Sequence, residues 1–309
     1  MKYDVHPMAV SVGDWFHFRR PGRGVCLLDH SGSTSHRQAK DRKKPKDLLV
    51  HAHPTERVAV HRKTDVNILC WIVVHPRNFA NRSMSVKRTW TRRCDTILFF
   101  SSETDPYFPT IGLNIPEGRD NLPAKSYAAL MYIYKHHYDQ ADWFLKADDD
   151  TYVIMENLRH FLLNKNTTEP YYYGQVFRNS YNSGGAGYVL GREALRRFGE
   201  QAPNTGMCTH GLSEDVVIGQ CLSFLGVMLW TGTEDTLGRP LFNWNNAYGS
   251  LNGDVPDWAR NSTPTMTGPH SVSNIAVSFH YVKHPDIQYF EFFLYNLSVH
   301  GFHRPVWPI

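Results

Sequence analysis

The middle of the chain contains the stretch WFLKADDDTYV, at residues 143–153. Its apolar part, extended by the two preceding residues to ADWFLKA, has the length and composition of a buried β-strand. Three consecutive aspartates follow this strand directly. In an extended chain, side chains two positions apart point the same way, so Asp148 and Asp150 face one side and Asp149 faces the other. Two carboxylates placed in this way are typical ligands of a hard divalent cation.

An acidic surface turn is the alternative interpretation of the three aspartates. An exposed turn does not need Trp143, Phe144 and Leu145 directly before it, which favours a site at the end of a buried strand. An EF-hand calcium loop starting at Asp148 is excluded, because its sixth position requires glycine and Val153 occupies it. The aspartates therefore predict a metal site for a phosphorylated ligand.

Strand-like and helix-like segments alternate around this stretch. The patterns ILCWIVV (68–74) and TILFFSS (96–102) predict buried strands, and SMSVKRTWTRR (83–93) predicts a short helix between them. A longer helix starting near Pro123 would carry one apolar stripe, made of Tyr127, Leu130, Met131, Tyr134 and Tyr138. This β-α-β-α-β order predicts an α/β fold with a mainly parallel sheet flanked by helices. In such sheets the ligand crevice lies beyond the carboxyl ends of the strands.

The segment SGGAGYVL (183–190) brings three glycines, Gly184, Gly185 and Gly187, to the start of a strand-like run. It is not a dinucleotide-binding fingerprint, because Leu190 stands where the third glycine of that motif is required. Glycines here allow either a close approach of the backbone to a ligand or a tight turn. The pattern alone favours neither interpretation.

The segment LSEDVVIGQCLSFLG (212–226) predicts an amphipathic helix that begins after Ser213. Its buried stripe would consist of Val217, Ile218, Cys221, Leu222 and Leu225. Glu214 and Asp215 suit the positive end of the helix, so capping alone would explain them. A helix N-terminus in an α/β crevice is also a common place for a catalytic carboxylate, and both interpretations stay open.

The segment IAVSFHYV (275–282) predicts a strand with His280 near its end. A single histidine in a strand is often structural. If it instead joins carboxylate and phosphate oxygens around a cation, its imidazole favours Mn²⁺ over Mg²⁺ or Ca²⁺.

Composition limits the classes of function. The chain has 309 residues, of which 41% are hydrophobic, enough to bury a core. Residues 1–66 hold 13 Lys and Arg against 7 Asp and Glu, whereas residues 67–309 hold 20 against 22. The basic excess therefore belongs to the N-terminal segment. Its run HRQAKDRKKPKD (36–47) predicts a solvated linker, with a localisation or polyanion-binding patch as the alternative. The slightly acidic body argues against nucleic acid as a partner. No run reaches the roughly 18 apolar residues of a membrane-spanning helix.

Cysteines and glycosylation sequons point towards the secretory pathway. The grouping of the five cysteines suggests disulfides Cys70 with Cys94 and Cys208 with Cys221, which leaves Cys26 unpaired. Buried free thiols in a cytosolic protein are the alternative. Four Asn-x-Ser/Thr sequons, at Asn81, Asn166, Asn261 and Asn296, favour exposure to a lumenal compartment.

Four segments in this order, WFLKADDDTYV, NSGGAGYVL, SEDVVIG and AVSFHYV, resemble the animal core 1 β1,3-galactosyltransferases, which extend O-linked N-acetylgalactosamine. The supporting matches are ILCWIVV, SVKRTW, LFFSSE, EGRD and the ADW before the aspartates. The resemblance covers residues 67–301 and rests on the combination of motifs. It implies a tail or stem over residues 1–66, a catalytic domain over 67–301 and a short tail over 302–309.

The resemblance implies a GT-A-type nucleotide-sugar transferase fold, UDP-galactose as donor, inversion at the anomeric carbon and a glycoprotein acceptor bearing N-acetylgalactosamine. By position, Asp150 and His280 would hold Mn²⁺ with support from Asp148, and Asp215 would be the general base with Glu214 beside it. The implied substrate contacts are Asp148, Asp149, Lys125, Gly184, Gly185, Gly187 and Trp258. The family also implies a type II membrane protein of the Golgi lumen, and a homodimer is compatible with it.

The chain departs from the family at three points. HSVSN (270–274) stands where the family has an adjacent cysteine pair, so one disulfide is expected to be lost. An aromatic-rich acceptor segment is here DWARNSTPTMTG (257–268), with Trp258 as its one aromatic residue, so altered acceptor specificity is expected. No anchor is visible, so either the true start is missing or the protein is soluble.

Two other functional classes stay open. A fringe-like or other β1,3-glycosyltransferase would use the same donor chemistry with another sugar or acceptor. A non-catalytic folding partner of such an enzyme is the second alternative. That relative lacks the three aspartates, which this chain has, so the sequence favours an enzyme.

Overall fold

A computed structural model describes residues 66–178, 180–260 and 266–301. The predicted N-terminal tail apart from Val66, the predicted C-terminal tail, Cys26 and the sequon at Asn261 lie outside these ranges.

The centre of the fold is a seven-stranded sheet in the order β10-β6-β9-β4-β1-β2-β3. Its strands are β1 (Ile68–Val73), β2 (Thr96–Ser101), β3 (Ile111–Gly112), β4 (Trp143–Ala147), β6 (Tyr171–Gly174), β9 (Tyr188–Gly191) and β10 (Met228–Leu229). β1 pairs in parallel with β2 and β4, and β9 runs antiparallel to both β4 and β6. The predicted α/β fold with a mainly parallel sheet is confirmed, with β9 as the exception.

The helices lie on both faces of this sheet. They are α1 (Met84–Arg88), α2 (Leu122–His137), α3 (Met155–Leu162), α4 (Arg192–Gln201), α5 (Glu214–Phe224), α6 (Ala247–Asn252), α7 (Asp257–Arg260) and α8 (His284–Glu291). Side chains alternate along β1: Ile68 and Cys70 pack with α1, α3 and α8, whereas Leu69 and Trp71 pack with α2, α4 and α5. This alternation produces the two buried layers of the domain.

The buried face of α2 differs from the predicted stripe. Leu130 is fully buried as predicted, but the four predicted aromatic and methionine residues are only half-buried. Ser126, Ala129 and Ile133 face the sheet instead. Small side chains let the helix approach the sheet closely, and the bulky ones pack sideways, as the ring of Tyr127 does 5.7 Å from that of Phe198 on α4.

Both predicted disulfides are present. Cys70–Cys94 joins β1 to the segment before β2, and Cys208–Cys221 joins the loop before α5 to the helix itself. At the segment HSVSN, the buried Ser271 donates to the carbonyl of Ser250, and Ser273 donates to Asp235 at 2.7 Å. Hydrogen bonds therefore hold the place where the resembling family has a cysteine pair.

A small second sheet consists of β5 (Tyr152–Val153), β11 (Phe242–Asn243) and β12 (Ser278–Phe279). The strand predicted over residues 275–282 is wrong in length, because β12 has two residues. Its pairing ends where Tyr281 takes a left-handed conformation (φ 51°), which turns the chain out of the sheet. β12 pairs antiparallel with β5, directly after the three aspartates, and so brings His280 to them.

No helix within the described ranges has the length and apolar character needed to cross a membrane. Asn81, Asn166 and Asn296 are exposed, so the three sequons that the structure describes are accessible to glycosylation.

A further two-stranded hairpin contributes to the site. It consists of β7 (Val176–Phe177) and β8 (Tyr181–Asn182), which pair antiparallel just before the glycine segment.

Candidate active site

The three aspartates lie at the carboxyl end of β4, where the crevice of the sheet was predicted. The Nε2 atom of His280 is 3.2 Å from Oδ1 of Asp150 and 3.8 Å from Oδ2 of Asp148. Ligand atoms of these three residues all lie within 4.8 Å of one another. The backbone N–H of Val282 donates to the carbonyl of Asp150 at 2.9 Å and holds the two segments together.

The tautomer of His280 suits a cation ligand. Its Nδ1 is 3.2 Å from the carbonyl oxygen of Trp244, and a carbonyl only accepts, so Nδ1 carries a proton. Nε2 then points at two carboxylates. A ring nitrogen in that position suits a cation shared with both carboxylates, and the Trp244 carbonyl orients the ring as outer partners of metal sites do. Two oxygens and one imidazole nitrogen are a donor set that fits a divalent metal ion.

Asp149 faces away from this group, as the alternation of side chains predicted. Its carboxylate is buried and accepts hydrogen bonds from Asn78 at 2.9 Å and from Ser83 at 3.3 Å. Burial raises the pKa of Asp149 to about 6, against the opposing hydrogen bond from Asn78. Asp149 therefore links the end of β4 to the segment before α1.

Arg82 marks the rim of the cation site. Its guanidinium lies 3.5 Å from Oδ2 of Asp150, and about half of its side chain is exposed. It neutralises part of the negative charge of the aspartates in this structure.

Lys146 lies between the aspartates and α5. Its Nζ is 2.7 Å from Asp148 Oδ1 and 3.3 Å from Glu214 Oε2, and its side chain is 4% exposed. Burial alone would lower the pKa of Lys146, but the charges of Asp148 and Glu214 outweigh it and raise the pKa. Lys146 is therefore a permanently charged ammonium inside the domain.

Glu214 and Asp215 begin α5 and line the same cleft as Asp148 and His280. Glu214 accepts a hydrogen bond from the Tyr188 hydroxyl at 3.0 Å and pairs with Lys146. Burial raises the pKa of Glu214, and the Lys146 charge opposes that rise. Asp215 accepts hydrogen bonds from two backbone N–H groups, those of Gly184 at 3.1 Å and of Val216 at 2.9 Å.

Ser213 occupies the N-cap position of α5 as predicted, but its side chain makes no capping hydrogen bond. The expectation that the Ser213 side chain caps α5 is therefore wrong, although the helix begins where it was predicted. Asp215 serves the orphan N–H of Val216 instead, and its other oxygen holds the glycine segment.

The segment SGGAGYVL (183–190), called here the glycine segment, runs between α5 and the cation group. The cation group consists of Asp148, Asp150 and His280. A Cβ on Gly185 would lie 2.1 Å from the His280 ring, and one on Gly184 would lie 2.7 Å from the Glu214 carboxylate. Gly187 has a φ of 84°, which side chains disfavour. Close approach of the backbone to both functional groups explains these glycines.

Lys125 lies behind the cleft and does not belong to its lining. It is fully buried, and its ammonium is 2.6 Å from Glu117, which lines a second hollow beside the aspartates. Glu117 also accepts the backbone N–H of Ser102 at 3.2 Å. Lys125 therefore contacts the second hollow only through Glu117.

Aromatic rings form one wall of the same cleft. Trp258, 53% exposed, has its ring 6.4 Å from that of Phe177 in a stacked arrangement and 5.2 Å from that of Trp244. The ring of Tyr181 also stacks with that of Phe177, at 6.0 Å. Three separate segments thus build an aromatic surface beside Asp215 and Glu214.

The cleft has room for a ligand of sugar size. Its volume is about 250 Å³, just below the usual range of sites for drug-sized ligands. A second hollow starts at the end of β1, with Val73, Val74 and His75, and meets the cleft at Asp148, His280 and Arg119. A ligand with its nucleotide end in one hollow and its sugar end in the other would lie against the cation group, where the two hollows meet.

Several site residues are absent from the sequence prediction. Lys146 sits two positions before Asp148, and the same alternation that paired the aspartates places it on their side. Arg119 lies in the quoted EGRD motif, which gave it no role. Phe177 and Trp244 carry no local signal, because only the tertiary fold brings them to Trp258.

The arrangement suits transfer from a phosphorylated donor. The cation group can hold a diphosphate, and Asp215 lies across the glycine segment as a separate proton acceptor.

Comparisons with known proteins agree with this chemistry. The chain is 41% identical over 271 residues to glycoprotein-N-acetylgalactosamine 3-beta-galactosyltransferase 1 of Xenopus laevis, covering 84% of this chain and 75% of that protein. It is 30% identical over 155 residues to beta-1,3-glucosyltransferase of Mus musculus, covering 48% of this chain and 31% of that protein. It is 29% identical over 182 residues to chondroitin sulfate synthase 3 of Homo sapiens, covering 50% of this chain and 20% of that protein.

Residues 72–234 match the family described as Fringe-like, a stretch that includes the aspartates, the glycine segment and the start of α5. The chain therefore belongs to the Fringe-like family of glycosyltransferases.

Proposed function

We propose that this protein transfers galactose from UDP-galactose, in β1,3 linkage and with inversion, to N-acetylgalactosamine on glycoproteins. The observation that carries the proposal is the cleft itself, where the cation group and Asp215 face one ligand volume from two sides of the glycine segment. The 41% identity to the Xenopus laevis galactosyltransferase supports the choice of sugar and acceptor.

Asp150 and His280 would hold Mn²⁺, with Asp148 completing the donor set. When bound, the cation neutralises the charge that develops on the diphosphate leaving group. The Trp244 carbonyl keeps the imidazole in the tautomer that this role needs.

The donor would span the two hollows. The nucleoside would lie at the end of β1, near Val74 and His75, and the exposed Arg119 would face the diphosphate. Gly184, Gly185 and Gly187 would leave room for the galactose beside the cation group. Lys125 would support the donor site through Glu117, and Asp149 through Asn78.

Asp215 would act as the general base. The acceptor hydroxyl attacks the anomeric carbon from the face opposite the diphosphate, the new O–C bond forms as the C–O bond to phosphate breaks, and UDP leaves with the electron pair. Asp215 takes the hydroxyl proton. The Gly184 N–H orients its carboxylate, whereas Glu214 is already paired with an ammonium and a phenol.

Trp258, Phe177 and Trp244 would bind the acceptor. Sugars present apolar C–H faces that pack on aromatic rings, and this wall stands beside Asp215. Residues 257–268 stand where the family has its aromatic-rich acceptor segment, and Phe177 and Trp244 lie outside them. We therefore propose that the sugar of the acceptor is still bound, while the protein groups around it differ.

Residues 67–301 would be the catalytic domain, with residues 1–66 as a stem. We place the protein in the Golgi lumen as a type II membrane protein, by the family resemblance. Two disulfides and three accessible sequons support an oxidising, lumenal compartment. A homodimer belongs to the same resemblance, and its test is the molar mass of the purified chain in solution.

A donor and acceptor matrix tests the function. The purified chain with Mn²⁺ is given UDP-galactose, UDP-glucose, UDP-N-acetylglucosamine or UDP-N-acetylgalactosamine, each with and without a peptide carrying α-linked N-acetylgalactosamine. UDP release and the NMR linkage of the product are measured. The proposal expects acceptor-dependent release with UDP-galactose and a β1,3 product.

Each other outcome has a defined meaning. Preference for another donor or acceptor would replace the proposal with a different β1,3-glycosyltransferase activity. Nucleotide binding without transfer to any acceptor would favour the non-catalytic folding partner. Asp215→Asn is the matched negative control for transfer.

A further inference from the structure

Lys146 is a buried charge that the proposed mechanism does not use. Its ammonium contacts three groups: Asp148 Oδ1 at 2.7 Å, the Gly184 carbonyl at 3.1 Å and Glu214 Oε2 at 3.3 Å. Removing an ammonium from water is costly unless it is paired and hydrogen-bonded. The contacts with Asp148 and the Gly184 carbonyl are hydrogen bonds, and the contact with Glu214 is an ion pair.

The three contacts come from three different parts of the fold. Asp148 follows β4, Gly184 belongs to the glycine segment, and Glu214 begins α5. Side chains alternate along β4, so Lys146 points to the layer of Phe144, where α5 packs. One ammonium thus joins the cation side of the cleft to the helix that carries Asp215.

The connection continues to the proton acceptor. Gly184 accepts from Lys146 through its carbonyl and donates its N–H to Asp215 at 3.1 Å. A displacement of Lys146 would therefore reach both Asp148 and Asp215. Separation of the cation from the base decides whether the acceptor hydroxyl meets the anomeric carbon in line, and errors of about 1 Å cost roughly 100-fold in rate.

We propose that Lys146 is a positioning residue, which holds Asp148 and the Gly184–Asp215 pair at the separation that transfer requires. This inference rests on the proposed function. The competing explanation is a structural ion pair that only neutralises Glu214. The two explanations predict different activities for a variant that lacks both the Lys146 and the Glu214 charge and so keeps the net charge of the wild type.

The test uses Lys146→Met, Glu214→Gln and the double variant, with Lys135→Met on the exposed surface of α2 as the matched control. Methionine keeps the length of the side chain without its charge. The double variant removes one positive and one negative charge and so retains the net charge of the wild type. It also serves as the folded form if Lys146→Met does not fold.

Three quantities are measured on the full chain: the melting temperature without cation, the calorimetric Kd of UDP with Mn²⁺, and kcat with KM. The double variant should melt near Glu214→Gln, yet its kcat should be lower than that of Glu214→Gln by about tenfold or more. KM for the acceptor should change by less than about threefold, because Lys146 does not touch the aromatic wall.

The Kd measurement judges the inference even if the wild type transfers no sugar, an outcome that would refute the proposed function separately. At matched charge, a loss of about tenfold in Mn²⁺-dependent UDP affinity in the double variant supports the positioning of Asp148. Equal affinity, or equal kcat in an active enzyme, for Glu214→Gln and the double variant would overturn the inference and leave only the ion pair.

Discussion

The Nε2 atom of His280 lies 3.2 Å from the Asp150 carboxylate because two short strands, β5 and β12, pair antiparallel across the mouth of the main sheet. Two residues of β12 pair with two residues of β5, and this pairing brings His280 to the aspartates from a distant part of the sequence. This small sheet and the glycine segment that faces it determine whether a cation is held.

Substitution of Gly185 tests that assembly. Gly185→Ala would place a Cβ 2.1 Å from the His280 ring and force the imidazole away from Asp150. Mn²⁺-dependent UDP affinity, measured by calorimetry, should fall about tenfold or more. Gly238→Ala is the control, because no atom lies near that Cβ and the cost is only backbone strain. Unchanged affinity in Gly185→Ala would mean that His280 does not hold the cation.

Transfer should depend on a divalent cation. Exhaustive chelation should abolish sugar transfer, since Asp148, Asp150 and His280 then hold no cation to neutralise the diphosphate. Added Mn²⁺ should restore the rate, and the rate at each cation concentration is the measurement. Full transfer in the chelated enzyme contradicts the cation assignment.

The aromatic wall should act on the acceptor alone. Trp258→Ala removes the exposed ring that stacks with Phe177, and it should raise KM for the glycopeptide about tenfold while UDP affinity stays unchanged. Tyr107→Ala removes an exposed ring outside the cleft and should change neither. A change in UDP affinity of Trp258→Ala instead would move this wall to the donor site.

The local part of the site was predictable from sequence, and the non-local part was not. Alternation within one strand predicts that Asp148 and Asp150 lie together. The same alternation places Lys146 beside them, but a single lysine in an apolar strand does not by itself indicate a site. His280 was assigned to the site from the family resemblance. Its position depends on the pairing of β12 with β5, and a strand of two residues is too short to be recognised from sequence.

The sheet shows the same division. The three predicted parallel strands β1, β2 and β4 are mainly apolar, as expected for strands covered by helices on both faces. β9 is equally apolar and yet runs antiparallel, so composition alone does not predict the direction of a strand. On α2, the predicted stripe consisted mainly of aromatic side chains, whereas Ser126, Ala129 and Ile133 are buried beside Leu130.

Stability at acid pH should depend on Asp235. Hydrogen bonds from Arg239, Ser273 and Leu237 outweigh burial and lower the pKa of Asp235 to about 2. Because this value lies below the unfolded pKa of about 3.9, the stabilisation is complete above pH ~4 and is lost as pH falls towards 2. Asp235→Asn should cost about 2 kcal/mol at neutral pH, and the difference from wild type should shrink over that window.

Denaturant unfolding at several pH values between 7 and 2 measures this difference, with Asp139→Asn at an exposed position as the control. A difference that stays constant down to pH 2 would assign the effect of Asp235 to packing, not to its charge.

The most direct measurement compares Asp150→Ala and Asp215→Asn for calorimetric UDP binding with Mn²⁺ and for galactose transfer. The account predicts that Asp150→Ala weakens both, because a cation ligand is lost. Asp215→Asn should retain binding while transfer falls by roughly 10² to 10⁴, because the proton acceptor is lost and the shape is kept. Near-normal transfer by Asp215→Asn, with a loss of stability of about 1 kcal/mol or less, would reduce Asp215 to a helix cap and contradict the account.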